Sequence, residues 1–255
     1  MSLRSAGKLG LAVLLAVSIS ACAAGQPRRV APNTPLDQQC ESVPDGARRL
    51  VLSGSDGVAL GAAVLGPQTA DVGVVIAYGA SQTLCEWLGI AGELAGLPAQ
   101  VLILDRRGRG SSDGPAAIVK LPDDLLTALA WQQAHGVGKV AVLGSSLGSA
   151  PALVAGSDPR ACAAIGVSPL TRVADGSGSV TVLDVPAYSA SAWLVYEQDN
   201  DDIRTGAEAI AAHLRSIGSR RVEVLAIPGS DHSRQLVLRH PEVLEYIRNA
   251  IRSCA

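Results

Sequence analysis

A serine between glycines, a loop histidine and a run of carboxylates follow one another along this 255-residue chain. Gly144-Ser145-Ser146-Leu147-Gly148 stands directly after apolar Val140–Leu143 and just before the small-residue stretch Ala150–Ala155. A strand that enters such a turn and leaves it as a helix puts the central serine in strained backbone and presents its Oγ to a cleft, the glycines leaving room for the turn. A serine hydroxyl is a poor nucleophile at neutral pH and needs a base, a role that suits imidazole. His135 closes a helical pattern, His213 lies inside one and His240 precedes a proline, which leaves His232, in the loop Pro228–His232, as the expected base. That imidazole must be held in one tautomer by an acid. The run Glu197-Gln198-Asp199-Asn200-Asp201-Asp202 follows apolar Trp193–Tyr196. Asp199, three residues past the strand, is the expected acid, with Asp201 as the alternative and Glu197 behind both. An oxyanion needs preorganised N–H donors. The backbone of Leu147, at a helix N-terminus, and of Ala80, in the turn Tyr78–Ser81, would supply them.

Because 27 residues are glycine, the serine pentapeptide alone is a weak signal. Its weight comes from the elements around it. Arg49–Ser53 and Val58–Leu65 flank Gly54-Ser55-Asp56-Gly57 and read as a hairpin at a sheet edge. Val72–Ala77 is a β-branched run of the kind buried on both faces. Thr83-Leu84-Cys85-Glu86 matches a capping box and opens a helix that stops at Gly96. A strand over Gln100–Leu104 and a helix over Pro122–Ala134 precede the serine strand. After it come strands Ala163–Val167 and Trp193–Tyr196, a helix over Ala207–Ile217, a strand over Arg221–Ile227, and helical Leu236–Ile251 interrupted by Pro241. Alternating strands and helices predict an α/β domain with a mostly parallel sheet of about eight strands, helices on both faces and right-handed crossovers. Ligands bind beyond the carboxyl ends of such strands, where Tyr78–Ser81, Asp105, Ser146, Asp199 and His232 all fall.

The formal net charge of −2 gives no reason to expect nucleic acid as a partner. Aromatics are 3% of residues and phenylalanine is absent, which argues against an extended aromatic platform. The histidines and cysteines have no metal-ligand spacing, and no metal or other cofactor is expected. Arg4 and Lys8 precede an uncharged stretch, Leu9–Ile19, too short to span a bilayer comfortably. It ends in Ile19-Ser20-Ala21-Cys22, which resembles the bacterial lipobox. That resemblance implies a signal peptide over 1–21 and lipidation of Cys22, so that the chain would sit outside the cytoplasm, anchored to a bilayer. An ordinary signal peptide cut nearby is the alternative. Residues 22–47 read as a tether and 48–255 as the folded domain. In an oxidising compartment Cys40, Cys85, Cys162 and Cys254 are disulfide candidates, with all three pairings open.

The order Ser146, acid, His232 resembles that of the α/β-hydrolase-fold serine hydrolases over about Arg48 to Ile251. Asp105-Arg106-Arg107-Gly108-Arg109-Gly110-Ser111-Ser112 is similar to their Asp-x-Arg-Gly-x-Gly-x-Ser loop. Val75–Gly79 resembles their His-Gly oxyanion turn, with Tyr78 in place of the usual histidine. Tyr196 stands where a glycine is common. The resemblance implies a serine hydrolase, esterase-like, cleaving a small or short-chain carboxylic ester through an acyl-enzyme. Pro169–Ala192, where such proteins often insert a lid, is too short for a large helical cap and implies an open site. Tyr78, Trp87 and Tyr188 are its candidate walls. Hydrolysis of another acyl bond (thioester, dienelactone or peptide) and a non-catalytic surface lipoprotein that uses the fold for binding are the competing readings.

Overall fold

The computed structural model of the chain describes residues 29–255. The signal segment and Cys22 lie outside the described residues.

Among the described residues ten strands form, eight of them in one sheet. β1 (Arg48–Ser53) and β2 (Ala59–Leu65) are the expected edge hairpin. β3 (Val72–Ala77), β4 (Ala99–Leu104), β5 (Lys139–Ser145), β6 (Ala161–Val167), β9 (Ser191–Glu197) and β10 (Arg221–Ile227) complete the sheet. The order is β1-β2-β4-β3-β5-β6-β9-β10. All neighbours from β4 onward are parallel, and the hairpin joins antiparallel through β2. The central strands are buried on both faces because both are roofed by helices.

Side-chain alternation decides which roof each residue meets. Val74 and Ile76 of β3, Val101 and Ile103 of β4, and Ala141 and Leu143 of β5 face one apolar layer. Helices α2 (Leu88–Ala95) and α7 (Pro241–Arg252) close that layer with Leu88, Leu94, Val243 and Ile247. Val75, Leu102, Val140 and Val142 face the opposite layer, under α3 (Leu121–Ala134), α4 (Ser149–Ala155) and α5 (Asp201–Ser216). The capping box forms, with Glu86 accepting from the Thr83 N–H at 2.7 Å. It opens a 3₁₀ turn, Leu84–Trp87, that runs into α2. Pro241 divides the last helical stretch into α6 (Arg234–Arg239) and α7, standing at the start of α7 where its missing N–H costs nothing.

One expectation changes. Residues 29–47, read as tether, pack onto the domain. A short helix, α1 (Leu36–Gln39), buries Leu36, and Cys40 is bonded to Cys85 just ahead of α2. The interval Pro169–Ala192, expected to be too short for a large helical cap, carries a hairpin, β7 (Arg172–Asp175) with β8 (Gly178–Thr181), and no helical cap. The second disulfide, Cys162–Cys254, ties the second residue past α7 to β6 across 92 residues. Replacing Cys254 by Ser should lower the unfolding free energy by about 4 kcal/mol through the loop it opens. The check is the denaturant midpoint without reductant, and an unchanged midpoint would contradict the pairing.

Candidate active site

β5 ends at Ser145, and Ser146 takes φ +50°, the left-handed backbone that the strand–helix turn requires. The turn is tight enough that a Cβ on Gly144 would lie 2.3 Å from the Gly148 carbonyl oxygen. His232 follows β10 and brings its ring to that turn. Its Nε2 lies 2.8 Å from Ser146 Oγ and its Nδ1 2.6 Å from Glu197 Oε1. The imidazole thus bridges a hydroxyl and a carboxylate, the geometry in which it takes a proton from one while the other fixes its tautomer. The ring is 39% exposed, whereas the Glu197 side chain is fully buried. The imidazole therefore meets solvent, whereas the carboxylate does not.

The acid expected at Asp199 is corrected to Glu197. β9 continues past Tyr196 to Glu197, so the carboxylate at the strand's last position, not one further along the turn, points at His232. Asp199 is exposed and its N–H donates to the Gly229 carbonyl. Asp201 opens α5 and pairs with Arg204, with its side chain 85% exposed. Asp201 and Asp202 lie exposed in the first turn of α5, which is capped by Asn200, its side chain accepting from the Ile203 N–H.

Three serines around the dyad escaped sequence reading. Ser168 Oγ donates to Glu197 Oε2 at 2.7 Å and accepts from the Ser233 N–H at 2.9 Å. Ser233 Oγ lies 2.7 Å from Ser145 Oγ. Ser168 and Ser233 adopt φ +47° and +59°, and with Ser146 they are the non-glycine residues of positive φ among the described residues. The signal was weak. Serines after strand ends are common, and only the pairing of β5, β6 and β9 brings these together.

The turn after β3 reaches the same place. Tyr78, Trp87 and Tyr188, expected as pocket walls, are all buried, and the cavity described below is lined by none of them. Tyr78 donates to Asp105 Oδ1 at 2.8 Å and accepts from the Arg106 N–H at 3.0 Å. Burial, with the Asp105 charge adding to it, raises its pKa well above the ordinary value and keeps the phenol a donor. Trp87 Nε1 donates to Gln82 Oε1, which also accepts from the Gly79 N–H. Arg106 Nη2 donates to the Ala80 carbonyl at 2.5 Å. The turn is thereby held from three sides. No hydrogen bond among the described residues claims the N–H of Ala80 or of Leu147. Both residues line one cavity of about 320 Å³, together with Arg106, Arg109, Ile118, Leu121 and Asp175.

Asp105 ties these parts together. It is fully buried and takes five hydrogen bonds, from Tyr78 Oη and the Leu84 N–H on one oxygen and from Gln39 Nε2, the Ser111 N–H and Ser111 Oγ on the other.

The sequence profile of the alpha/beta hydrolase fold matches residues 74–191. Solved structures agree in architecture. An esterase of Pyrococcus furiosus superposes with a TM-score of 0.70 at 15% identity, over 89% of this chain and 98% of that one. A serine hydrolase without a lid from Xanthomonas campestris gives 0.62 at 18%, over 83% and 94%. Est1E of Butyrivibrio proteoclasticus, bound to ferulic acid, gives 0.63 at 16%, over 80% and 99%. No curated protein matches the chain in sequence. The chain has the α/β-hydrolase fold, with a mostly parallel eight-stranded sheet.

Replacing Asp105 by Asn swaps one acceptor for a donor that faces donors already in place. It should destabilise the protein by roughly 3 kcal/mol, read as a fall in the denaturation midpoint. A midpoint within experimental scatter of the parent's would refute this account of Asp105.

Proposed function

We propose that the protein is a serine hydrolase that cleaves small carboxylic esters through an acyl-enzyme on Ser146. The observation that carries this reading is the bridge of His232 between Ser146 Oγ and Glu197 Oε1. In the first half-reaction Nε2 accepts the hydroxyl proton as Oγ bonds to the ester carbonyl carbon. The N–H groups of Ala80 and Leu147 receive the developing oxyanion, each worth about 3 kcal/mol in comparable sites. As the tetrahedral intermediate collapses, the C–O bond to the alcohol breaks and Nε2–H protonates that oxygen. Water then enters by the same route, the base taking its proton, and frees the acid and the serine. Glu197 stays ionised throughout and stabilises the imidazolium. The fold shared with proteins described as an esterase and a lidless serine hydrolase supports an acyl substrate. The modest cavity and the hairpin in place of a cap support a small one.

A fluorophosphonate probe should label the folded protein, and Ser146→Ala should abolish labelling. An intact wild-type protein that stays unlabelled would sink the proposal. Glu197→Gln should lower kcat by on the order of 10³- to 10⁴-fold, whereas Asp199→Asn and Asp201→Asn should stay within about twofold of the parent. Ser168→Ala and Ser168→Gly, which remove the same hydroxyl but differ in their tolerance of positive φ, should both lower kcat by about tenfold with KM little changed. Recovery of activity in the glycine variant alone would point to backbone strain instead of the hydrogen bond to Glu197.

The same reading places the protein outside the cytoplasm as a lipoprotein anchored through Cys22. Two disulfides suit an oxidising compartment. Arg29 stands seven positions after Cys22 in the sequence, a reach of at most about 25 Å of extended chain. Arg29 and Val30 donate to the carbonyls of Ser112 and Gly110, in the loop that also carries Arg109. The anchor would keep that loop close to the bilayer. Expression with labelled palmitate should mark the protein, and Cys22→Ser should remove the label.

A further inference from the structure

We infer that the cavity beside Ser146 selects esters bearing an anionic group, and that Arg109 is the residue that recognises the charge. This deepens the hydrolase reading and rests on it. Three guanidinium side chains, Arg106, Arg107 and Arg109, and two carboxylates, Asp124 and Asp175, line the cavity beside Ala80 and Leu147. They do not cancel evenly. Arg107 is buried between Asp124, which it grips through Nε at 2.8 Å and Nη2 at 2.7 Å, and Asp56 at 2.5 Å. That cation is spent on structure, and the Asp124 side chain it meets is only 1% exposed. What remains is Arg106 and Arg109 against Asp175.

Asp175 is held by neutral donors. The Ile118 N–H donates to Oδ2 at 2.8 Å, and the Ser177 N–H and Oγ donate to Oδ1. Arg106 turns Nη2 to the Gly79 and Ala80 carbonyls and leaves its Nε buried without a partner. Burial lowers the pKa of Arg106 against the opposing pull of Tyr78, and the charge of Arg109 adds to the lowering. Arg109 is half-buried, and among the described residues no carboxylate lies within 4.0 Å of it. Its backbone is pinned, its N–H donating to the Arg106 carbonyl while its own carbonyl accepts from the Ser112 N–H. A cation on fixed backbone, half out of water and without a counterion, favours an anionic ligand and gives it planar, paired donors. Ala116, Ala117, Ile118 and Leu121 make the apolar wall, which suits a short carbon segment between the scissile carbonyl and the charge. No aromatic side chain lines the cavity, so stacking does not compete as the mode of recognition.

The test compares esters equal in size that differ in charge. On the acyl side the pair is the 4-nitrophenyl ester of hemiglutarate and that of glutaramic acid. On the alcohol side it is 3-acetoxybenzoate and 3-acetoxybenzamide. For at least one pair the anionic ester should have a kcat/KM tenfold or more above its neutral partner, and the responsive pair identifies the side that enters the cavity. Arg109→Gln should bring that ratio near one, Arg109→Glu should push it below one, and Arg109→Lys should leave it above one. A wild-type ratio of one or less for both pairs, or a ratio untouched by Arg109→Gln, overturns the inference while turnover of the neutral esters leaves the hydrolase reading standing. If no ester is turned over, the hydrolase reading fails and the anion site is judged on glutarate alone. A rise in Tm with millimolar glutarate in the wild type that is lost in Arg109→Gln supports it. Equal responses in both proteins overturn it.

Discussion

The site depends first on a buried carboxylate that must be satisfied. A charged oxygen pair taken out of water is tolerated only if donors replace the lost hydration, and Asp105 obtains five. Those donors come from separate parts of the chain: α1, the turn after β3, the start of the helix that follows it, and the loop after β4. Satisfying one side chain therefore fixes the distance between the turn after β3 and the loop that walls the cavity. It also explains why a tyrosine works at position 78. The position needs a donor to Asp105 and a packing group, and the proposed oxyanion donor beyond it is a backbone N–H that places no demand on the side chain.

The second constraint is strain. Ser146, Ser168 and Ser233 share the left-handed region that non-glycine residues avoid, and Ser168 and Ser233 sit in the hydrogen-bond chain that joins β5, β6, β9 and the loop after β10. Backbone in such regions costs on the order of 1–3 kcal/mol per residue and persists only where its surroundings over-determine it. Here the determination is visible in the chain Ser145–Ser233–Ser168–Glu197. The payoff is directional, since the Glu197 carboxylate is held by Ser168 on one oxygen and meets His232 with the other. The imidazole can then be half-exposed without losing its orientation.

The layout of the sheet, the edge hairpin and the placing of Ser146 and His232 were legible because they rest on local pattern: apolar runs, turn glycines and chain order. Glu197 was not. Its assignment turned on whether β9 ends at Tyr196 or one residue later, and strand ends are where local pattern carries least information. Register against β10, which pairs Glu197 with Ile227, decides it, and that is a long-range property. The aromatic residues misled for a different reason. In a chain without phenylalanine, tyrosine and tryptophan are the large groups available to fill the interior, so Tyr78, Trp87 and Tyr188 went to the core. The segment 29–47 read as tether because its composition is polar and aperiodic. Its order comes from partners distant in sequence, Cys85 and Asp105.

Without a helical cap, selectivity must come from the loops at the sheet's carboxyl edge, and the loop after β4 is constrained at both ends. Arg107 is locked by Asp124 and Asp56. Gly110, at φ +54°, lies so close to Asp105 that a Cβ there would stand 2.2 Å from Oδ2. Arg109 is caught between these two fixed points. A flexible surface arginine loses side-chain entropy whenever it binds. One whose backbone is held by a salt bridge on one side and a satisfied buried carboxylate on the other has less left to lose. The interactions that stabilise the loop therefore also hold the backbone of Arg109, whose side chain meets no carboxylate among the described residues.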